Sequence, residues 1–243
     1  MKVVAIVQAR LGSTRLPGKM LLPLAGKSVL WHVLDRVKRA KLVDEVVLTY
    51  PVTDSKAFAT IMNACAVKPC PWSGDESDLV GRYSLAADWY EAAIIVRVPG
   101  DNPCVDPAYI DEAVRSYRLF PSIYYSNTTA AVERGPVEGA CSPLVTVDGI
   151  GCEVFSLSRL QWLDAHTHAY PTKGCREHPH RRFQNATVGG FVLPTADLRL
   201  DLNTPADYAF LSDLFAHVYP THPQFTTADV LAYLKTKEVW ANG

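Results

Sequence analysis

The sequence predicts an α/β fold with a mostly parallel sheet flanked by helices. Over the first 120 residues, β-branched apolar runs typical of strands buried on both faces alternate with amphipathic helical stripes. From residue 121 short apolar segments are joined by glycine and proline turns, and the last part of the chain returns to helical patterns. We therefore expect one domain over residues 1–243, with a β-rich insertion at 121–195.

The elements of the first half follow from local patterns. The apolar, β-branched run at 3–8 predicts a buried strand. In 28–40, apolar residues recur at helical spacing behind a serine suited to cap the helix N-terminus. The same reasoning predicts strands at 45–50, 67–71 and 93–98, and helices at 56–65, 78–90 and 106–120.

The second half contains shorter strands. Turn residues separate apolar segments that we interpret as strands at 123–126, 144–147, 152–156 and 187–193. Helical patterns are predicted at 158–169, 204–215 and 226–237.

Composition excludes several classes of protein. The formal net charge is −1, so no overall basic field favours nucleic acid or anionic membranes. The sequence has no apolar run of the ~18 residues that a membrane span needs, and its first residues are not typical of a signal peptide. The six cysteines show no C-x-x-C spacing, which favours reduced thiols and a cytoplasmic protein.

The loop after the first strand is rich in groups that bind phosphate. It carries three cations, Arg10, Arg15 and Lys19, around the small residues Gly12, Ser13 and Thr14. The P-loop and dinucleotide-binding glycine patterns are both absent from it. Open α/β sheets bind ligands at strand carboxyl ends, so the loop is either a phosphate site or a solvated basic turn.

An ordered set of blocks makes the first interpretation more specific. The stretch "QARLGSTRLPGKML" resembles the opening signature of the cytidylyltransferases that make CMP-activated sugars, such as CMP-KDO and CMP-sialic acid synthetases. The chain most resembles the SpsF-type branch of this family, named for spore-coat polysaccharide biosynthesis, and further blocks agree with it in order. These blocks are "WSGDESDLVGRY" (72–83), "VRVPGDNPCVDPAYID" (96–111), "CEVFS" (152–156), "REH" (176–178) and "LRLDLNTPADY" (198–208).

The resemblance implies a Rossmann-like nucleotide-diphospho-sugar transferase fold and nucleotidyl transfer from CTP. The charged transition state of that reaction needs cations and Mg²⁺. The resemblance assigns the triphosphate to the loop residues Arg10, Gly12, Ser13, Thr14, Arg15 and Lys19, with Lys19 stabilising the leaving pyrophosphate. Lys19, Arg15 and Asp101 are the predicted catalytic residues.

The resemblance also implies a metal ligand, because family members use the aspartate at position 101 to bind Mg²⁺. The second ligand is open. Relatives in the SpsF-type branch carry an aspartate before the Thr-Pro pair, where this chain has Asn203. Asp201 lies two residues earlier, and in a strand over 199–204 both side chains would face the same side.

Base and acceptor sites are assigned by the same blocks. Ser73, Gly74 and Asp78 are expected near the cytosine. Arg97, Glu153, Arg176, Glu177 and His178 are expected near the acceptor, although Arg97 fits a buried ion pair almost as well.

The leading hypothesis is a cytoplasmic homodimer that transfers CMP from CTP to an acidic or modified sugar, of the 3-deoxy-ulosonic or nonulosonic acid type, for surface polysaccharide biosynthesis. Two alternatives stay open. One is a nucleotidyltransferase acting on a sugar phosphate or a phosphorylated non-sugar acceptor, and the other is a catalytically weak nucleotide-binding subunit, favoured by Asn203.

Overall fold

The computed structural model of the protein describes residues 1–119, 124–126, 149–158, 183–184 and 199–237. Nine strands lie in these ranges: β1 Val3–Gln8, β2 Pro23–Leu24, β3 Lys27–Ser28, β4 Glu45–Pro51, β5 Lys68–Trp72, β6 Ile94–Pro99, β7 Tyr124–Ser126, β8 Glu153–Ser156 and β9 Phe183–Gln184. The helices of the same ranges are α1 Val29–Val37, α2 Ser55–Cys65, α3 Leu79–Trp89, α4 Pro107–Leu119, α5 Pro205–Val218 and α6 Thr227–Thr236.

Seven of these strands form one mixed sheet in the order β5-β4-β1-β6-β8-β7-β9. The four strands from β5 to β6 are parallel, β8 is antiparallel to both β6 and β7, and β9 is parallel to β7. The predicted α/β fold with a mostly parallel, helix-flanked sheet is confirmed.

The central strand β1 shows why the sheet is buried on both faces. Val3, Ala5 and Val7 pack in the core cluster that includes residues of α1, α2 and α4. Val4 and Ile6 belong to a second cluster, shared with Val80 and other residues of α3. Successive side chains of a strand point to opposite faces, so an uninterrupted apolar run covers both.

The topology opens a crevice between the ends of β1 and β6. The chain places β4 on one side of β1 and β6 on the other, so the strand order reverses at this point. Gly100 follows β6, and its N–H donates to the Gln8 carbonyl at 2.8 Å. A Cβ at Gly100 would lie 2.4 Å from that oxygen, so glycine is required for the close approach. Ligands of open α/β sheets bind at such a reversal.

The predicted elements of the first half are present with ends that differ by three residues at most; the strand expected at 67–71, for example, is Lys68–Trp72, and the helix expected at 28–40 is Val29–Val37. Two short features were missed. One is the hairpin of β2 and β3, whose turn residues Ala25 and Gly26 have φ of 44° and 83°. The other is a 3₁₀ turn at Lys19–Leu21.

The strand considered at 199–204 is wrong. This segment holds a single bridge residue at Arg199, and Thr204 then caps α5. Thr204 cannot continue a strand because its side chain accepts from the Asp207 N–H, as part of a capping box that begins the helix.

Much of the predicted insertion lies outside the described residues, including 144–147, 187–193 and most of 158–169. Three strands from 121–195 are described, β7, β8 and β9, and all three extend the main sheet. The domain division remains a prediction.

The cysteines of the described ranges, Cys65, Cys70, Cys104 and Cys152, are buried free thiols, as predicted. Burial raises the pKa of the Cys70 thiol to about 11, so it stays protonated at neutral pH. Among the helices of the described ranges, none is long and apolar enough to cross a membrane.

Candidate active site

A cavity of about 500 Å³ lies at the carboxyl ends of β1 and β6. Four segments meet there: the loop after β1, the start of α3 with its preceding turn, the residues that follow β6, and the residue Asn203 shortly before α5. The lining residues are Gln8, Ala9, Arg10, Ser13, Thr14, Arg15, Lys19, Met20, Glu76, Ser77, Leu79, Arg82, Gly100, Asp101 and Asn203.

Lys19 is the most constrained cation of this cavity. Gly18, with φ of 67°, begins the 3₁₀ turn that directs Lys19 inward, where the residue is 7% exposed. The ammonium donates to Asp101 Oδ2 at 2.5 Å, to the Leu202 carbonyl at 2.6 Å and to Asn203 Oδ1 at 3.2 Å. An ammonium has three donors, so these contacts fix the position of its charge.

Asn203 holds the second cation. Its Oδ1 accepts from Arg15 Nη2 at 2.8 Å, in addition to Lys19. Its Nδ2 donates to Asp201 Oδ2 at 2.5 Å, and this contact orients the amide. The Asp201 carboxylate in turn accepts both Nε and Nη2 of Arg199 at 3.0 and 2.9 Å. Asp201 therefore acts on the cavity through Asn203.

The loop that carries these cations is anchored at its start and end. Asp54 Oδ2 accepts from the Leu11 N–H at 2.9 Å, and the Gly18 N–H donates to the Leu11 carbonyl at 3.2 Å. Arg10 extends from the same loop toward Glu76 at 3.5 Å, and the side chains of this pair are about half exposed. The loop is thus fixed while Arg10 stays within reach of a ligand.

Part of the cavity lining comes from the start of α3 and the turn before it. Asp78 caps this helix by accepting from the Gly81 N–H at 2.8 Å. One turn later Arg82 is buried at 2% exposure, and its Nη2 donates to the Glu76 carbonyl at 2.9 Å. Burial lowers the pKa of Arg82 from its ordinary value. Gln8, at the end of β1, lines the same region.

A second ion pair lies inside the sheet. Arg97 of β6 stands opposite Glu153 of β8, and their side chains form a salt bridge with 13% and 3% exposure. Tyr83 of α3 lies nearby and is fully buried, which raises the pKa of its hydroxyl. Neither Arg97 nor Glu153 lines the described cavity.

The structure brings together many of the residues predicted for the site, and these are Arg10, Ser13, Thr14, Arg15, Lys19, Asp101 and Asn203. It leaves others outside the cavity lining: Gly12, Ser73, Gly74, Asp78, Asp201, Arg97 and Glu153. Arg176, Glu177 and His178 lie outside the described residues.

Several lining residues were not predicted, notably Gln8, Glu76, Leu79, Arg82 and Gly100. Two of them could have been predicted from the sequence, because Gln8 and Gly100 lie at the ends of predicted parallel strands, where ligands bind. Arg82 had no such signal, since an arginine in a helix is equally suited to a local ion pair.

Most side-chain oxygens of the predicted metal ligands already accept hydrogen bonds from neighbouring side chains. Within the described ranges, no cluster of three or more histidine, cysteine, aspartate or glutamate side chains is arranged to hold a metal. Asp101 borders the cavity with a side chain 22% exposed and uses Oδ2 for Lys19. The Asn203 oxygen already accepts from two cations, and Asp201 is occupied by Arg199 and Asn203.

A cation-lined cavity at a strand-order reversal of a mostly parallel sheet defines a class of α/β proteins that bind phosphorylated ligands. The chain belongs to the cytidylyltransferase family, whose model matches residues 4–148, more than half of the 243 residues.

Individual relatives agree with this placement. The 3-deoxy-manno-octulosonate cytidylyltransferase of Trichlorobacter lovleyi is 38% identical over 123 residues, 51% of this chain, and the match spans about half of that relative's length, 48%. The spore coat polysaccharide biosynthesis protein SpsF of Bacillus subtilis is 26% identical over 88% of this chain and 86% of its own. A solved cytidylyltransferase structure from Leptospira borgpetersenii superposes with a TM-score of 0.80 at 27% identity, covering 98% of this chain and 95% of that one.

Proposed function

We propose that the protein transfers CMP from CTP to an acidic sugar and releases pyrophosphate. The observation that carries this proposal is the fixed cation pair of the cavity: Lys19 and Arg15 of the loop after β1 are both held by Asn203, and Lys19 is also held by Asp101 and the Leu202 carbonyl. Membership of the cytidylyltransferase family supports CTP as the nucleotide, and the 3-deoxy-manno-octulosonate cytidylyltransferase relative supports a sugar acid as the acceptor class.

The triphosphate fits the cations of the loop after β1. Arg10, Arg15 and Lys19 line the cavity together with Ser13 and Thr14, whose side chains carry hydroxyls. Arginine binds two phosphate oxygens at once, while lysine acts as a compact charge. Lys19 is already fixed before any ligand binds, so it stabilises developing charge without reorganisation.

Asp101 is the residue that we assign to Mg²⁺. The ion prefers one or two carboxylates, with phosphate oxygens and water completing its coordination. Asp101 fits this requirement because it borders the cavity and one of its oxygens, Oδ2, is taken by Lys19, which leaves Oδ1. When bound, the ion neutralises phosphate charge. Asn203 and Asp201 fit better as positioning residues for the two cations.

In the reaction, an oxygen of the acceptor attacks the α-phosphorus of CTP and the bond to the bridging oxygen of the β-phosphate breaks. The acceptor hydroxyl loses its proton to solvent water, and pyrophosphate leaves with the electron pair of the broken bond. Negative charge grows on the leaving group, and Lys19 and Arg15 neutralise it. Arg10 orients the chain of phosphates from the outer side of the cavity.

The acceptor pocket and assembly stay predictions. Arg97 and Glu153 are paired with each other inside the sheet, so we expect them to support the cavity wall rather than to bind the sugar. Arg176, Glu177 and His178 keep their assignment to the acceptor, and the homodimer and the cytoplasmic location are kept as well.

A pyrophosphate-release assay tests the proposal. The protein is incubated with Mg²⁺, one of CTP, UTP, ATP or GTP, and a panel of 3-deoxy-ulosonic acids, nonulosonic acids and sugar phosphates. Release is expected with CTP and a sugar acid. Release with a sugar phosphate alone would overturn the acceptor class, and CTP binding without turnover on any acceptor would indicate a binding subunit.

A further inference from the structure

Asn203 is a neutral side chain that contacts three charged ones. Its Oδ1 accepts from Arg15 Nη2 at 2.8 Å and from Lys19 Nζ at 3.2 Å, and its Nδ2 donates to Asp201 Oδ2 at 2.5 Å. The reverse orientation of the amide would turn its NH₂ group toward two donors and its oxygen toward a carboxylate. The neighbours therefore fix the amide in one orientation.

The carboxylate that orients this amide is itself balanced by a cation. Both oxygens of Asp201 accept from Arg199, through Nε at 3.0 Å and Nη2 at 2.9 Å, which is a bidentate pair. The Asp201 side chain is 13% exposed and the Arg199 side chain 49%. Neither belongs to the described residues that line the cavity. The negative charge beside Asn203 is thus compensated from outside the cavity.

This arrangement sets the charge of the cavity. The described lining residues carry four cations and two carboxylates, so their net charge is +2; the cations are Arg10, Arg15, Lys19 and Arg82, and the carboxylates are Glu76 and Asp101. A carboxylate at position 203 would hold the two nearest cations at least as firmly as the amide does, but it would halve that net charge. It would also compete with a phosphate chain for the same donors.

We infer that Arg199 and Asp201 are positioning residues that hold Asn203 as a neutral support. An amide at this position fixes the geometry of Lys19 and Arg15 and leaves their positive charge to a polyphosphate ligand. The inference rests on the proposed function, which places the triphosphate of CTP at these two cations. It adds that two residues outside the cavity determine how strongly the cavity attracts phosphate.

The first test changes only the charge at position 203. Inorganic tripolyphosphate is titrated calorimetrically in EDTA, so that the protein's own charges are the ones measured. Asn203→Asp keeps the shape of the side chain and is expected to weaken tripolyphosphate about tenfold or more. Asn63→Asp adds the same charge at an exposed position of α2 and should bind like the unchanged protein.

Asn203→Asp is expected to fold. The new carboxylate comes just before the N-terminus of α5, which begins after the cap Thr204, and negative charge is favourable there. Urea denaturation checks that the variant is folded under the conditions of the titration.

The second test examines the two residues outside the cavity. Arg199→Met leaves the Asp201 carboxylate uncompensated beside the amide and should weaken tripolyphosphate by about three- to tenfold. Adding Asp201→Asn removes that charge and keeps an oxygen for Asn203 Nδ2, so the double variant should recover to within about twofold of the unchanged protein. A merely structural contact would not recover, because a second substitution would add to the damage. Arg115→Met, in an exposed pair with Glu112, is the surface control.

The contrary outcomes are distinct. Unchanged tripolyphosphate affinity in Asn203→Asp would overturn the inference, since the charge at position 203 would then not matter. A double variant that stays as weak as Arg199→Met would overturn the role of the outer pair. If Asn203→Asp does not fold, the Arg199 and Asp201 variants decide alone. Titration of the unchanged protein with CTP and Mg²⁺ separates the two proposals: if CTP binds while the variants behave normally, the inference alone fails, and if neither CTP nor tripolyphosphate binds, the proposed function fails with it.

Discussion

Two ion pairs flank the end of the same strand and differ in what surrounds them. Arg97 lies within β6 and pairs with Glu153, whose side chain is 3% exposed. Asp101 lies just beyond the end of β6 and pairs with Lys19 at the cavity edge, with 22% of its side chain exposed. Opposite charges inside a sheet must neutralise each other, whereas a pair at a strand end is available to a ligand. The first pair should therefore serve stability and the second chemistry.

The largest expected effect on stability comes from breaking the inner pair, Arg97–Glu153. Arg97→Met removes the cation opposite Glu153, and breaking a buried pair costs about 3–5 kcal/mol of unfolding free energy. Replacing both residues by methionine should recover much of that loss, because no charge is then left buried. Urea denaturation measures both variants.

Arg115→Met provides the surface control, since its pair with Glu112 is half exposed on the arginine side. Surface pairs contribute about 0–1 kcal/mol. If Arg97→Met were no more harmful than Arg115→Met, the inner pair would not be the structural one and the comparison would fail.

Lys19→Met should show the opposite behaviour. The methionine keeps the bulk of the side chain and Asp101 gains access to water at the cavity edge, but the Leu202 carbonyl loses its donor, so the unfolding free energy should fall by about 1–3 kcal/mol, less than for Arg97→Met. The loss of a fixed charge that stabilises the leaving group should lower kcat by roughly 10²- to 10³-fold. Steady-state kinetics with CTP and the active acceptor measure this. A variant that unfolds readily but keeps its kcat would reverse the roles of the two pairs.

The sequence predicted one of these pairs better than the other. Lys19 and Asp101 belong to motifs that follow apolar strands, and parallel strands bring their carboxyl ends together at one edge. Arg97 was assigned to the acceptor with a buried pair as the close alternative, because a sequence does not show which strand lies beside β6. That neighbour is β8, which runs antiparallel to β6. Its residue Glu153 lies 56 positions after Arg97 in the chain.

Local patterns also explain what was found and missed in the rest of the fold. Apolar runs and capping residues predicted the strands and helices of the first half, because these signals lie within a few residues of each other. The role of Asn203 depends on contacts with distant segments, such as the Arg15–Asn203 contact across 188 positions. No local pattern contains that information.

His32 extends the comparison to a group with no charged partner. Its Nε2 lies 2.8 Å from the Leu24 carbonyl, and its ring contacts Phe215 and Tyr219 edge to face. Burial lowers the pKa of His32 from 6.5 to about 4. Between these values the unfolded chain binds a proton that the folded chain does not, so stability falls as pH falls from 6.5 toward 4.

This difference corresponds to about 3 kcal/mol of unfolding free energy between pH 7 and pH 4. The His32→Gln variant keeps a donor for Leu24 but does not titrate, so its stability should depend less steeply on pH in that window. Urea denaturation at pH 4.5, 5.5, 6.5 and 7.5 measures the difference. An unchanged slope would mean that other groups cause the acid sensitivity.

Gly100 connects the two ion pairs, since it lies between β6, which carries Arg97, and the cavity residue Asp101. A Cβ there would stand 2.4 Å from the Gln8 carbonyl oxygen and 3.2 Å from the Ala9 Cβ. Backbone atoms cannot turn away as a flexible side chain does, so Gly100→Ala must separate the ends of β1 and β6. Overpacking of this kind costs about 1–3 kcal/mol.

Gly12→Ala is the stability control, because a Cβ at that position meets its nearest atom, Glu76 Oε2, at an ordinary 3.7 Å. Its unfolding free energy should stay within about 1 kcal/mol of the unchanged protein. Separation of the strand ends also moves Gln8 and Asp101 apart, and both residues line the cavity. Gly100→Ala should therefore weaken CTP binding in a calorimetric titration. A stable variant with normal CTP affinity would show that the strand ends adjust without cost.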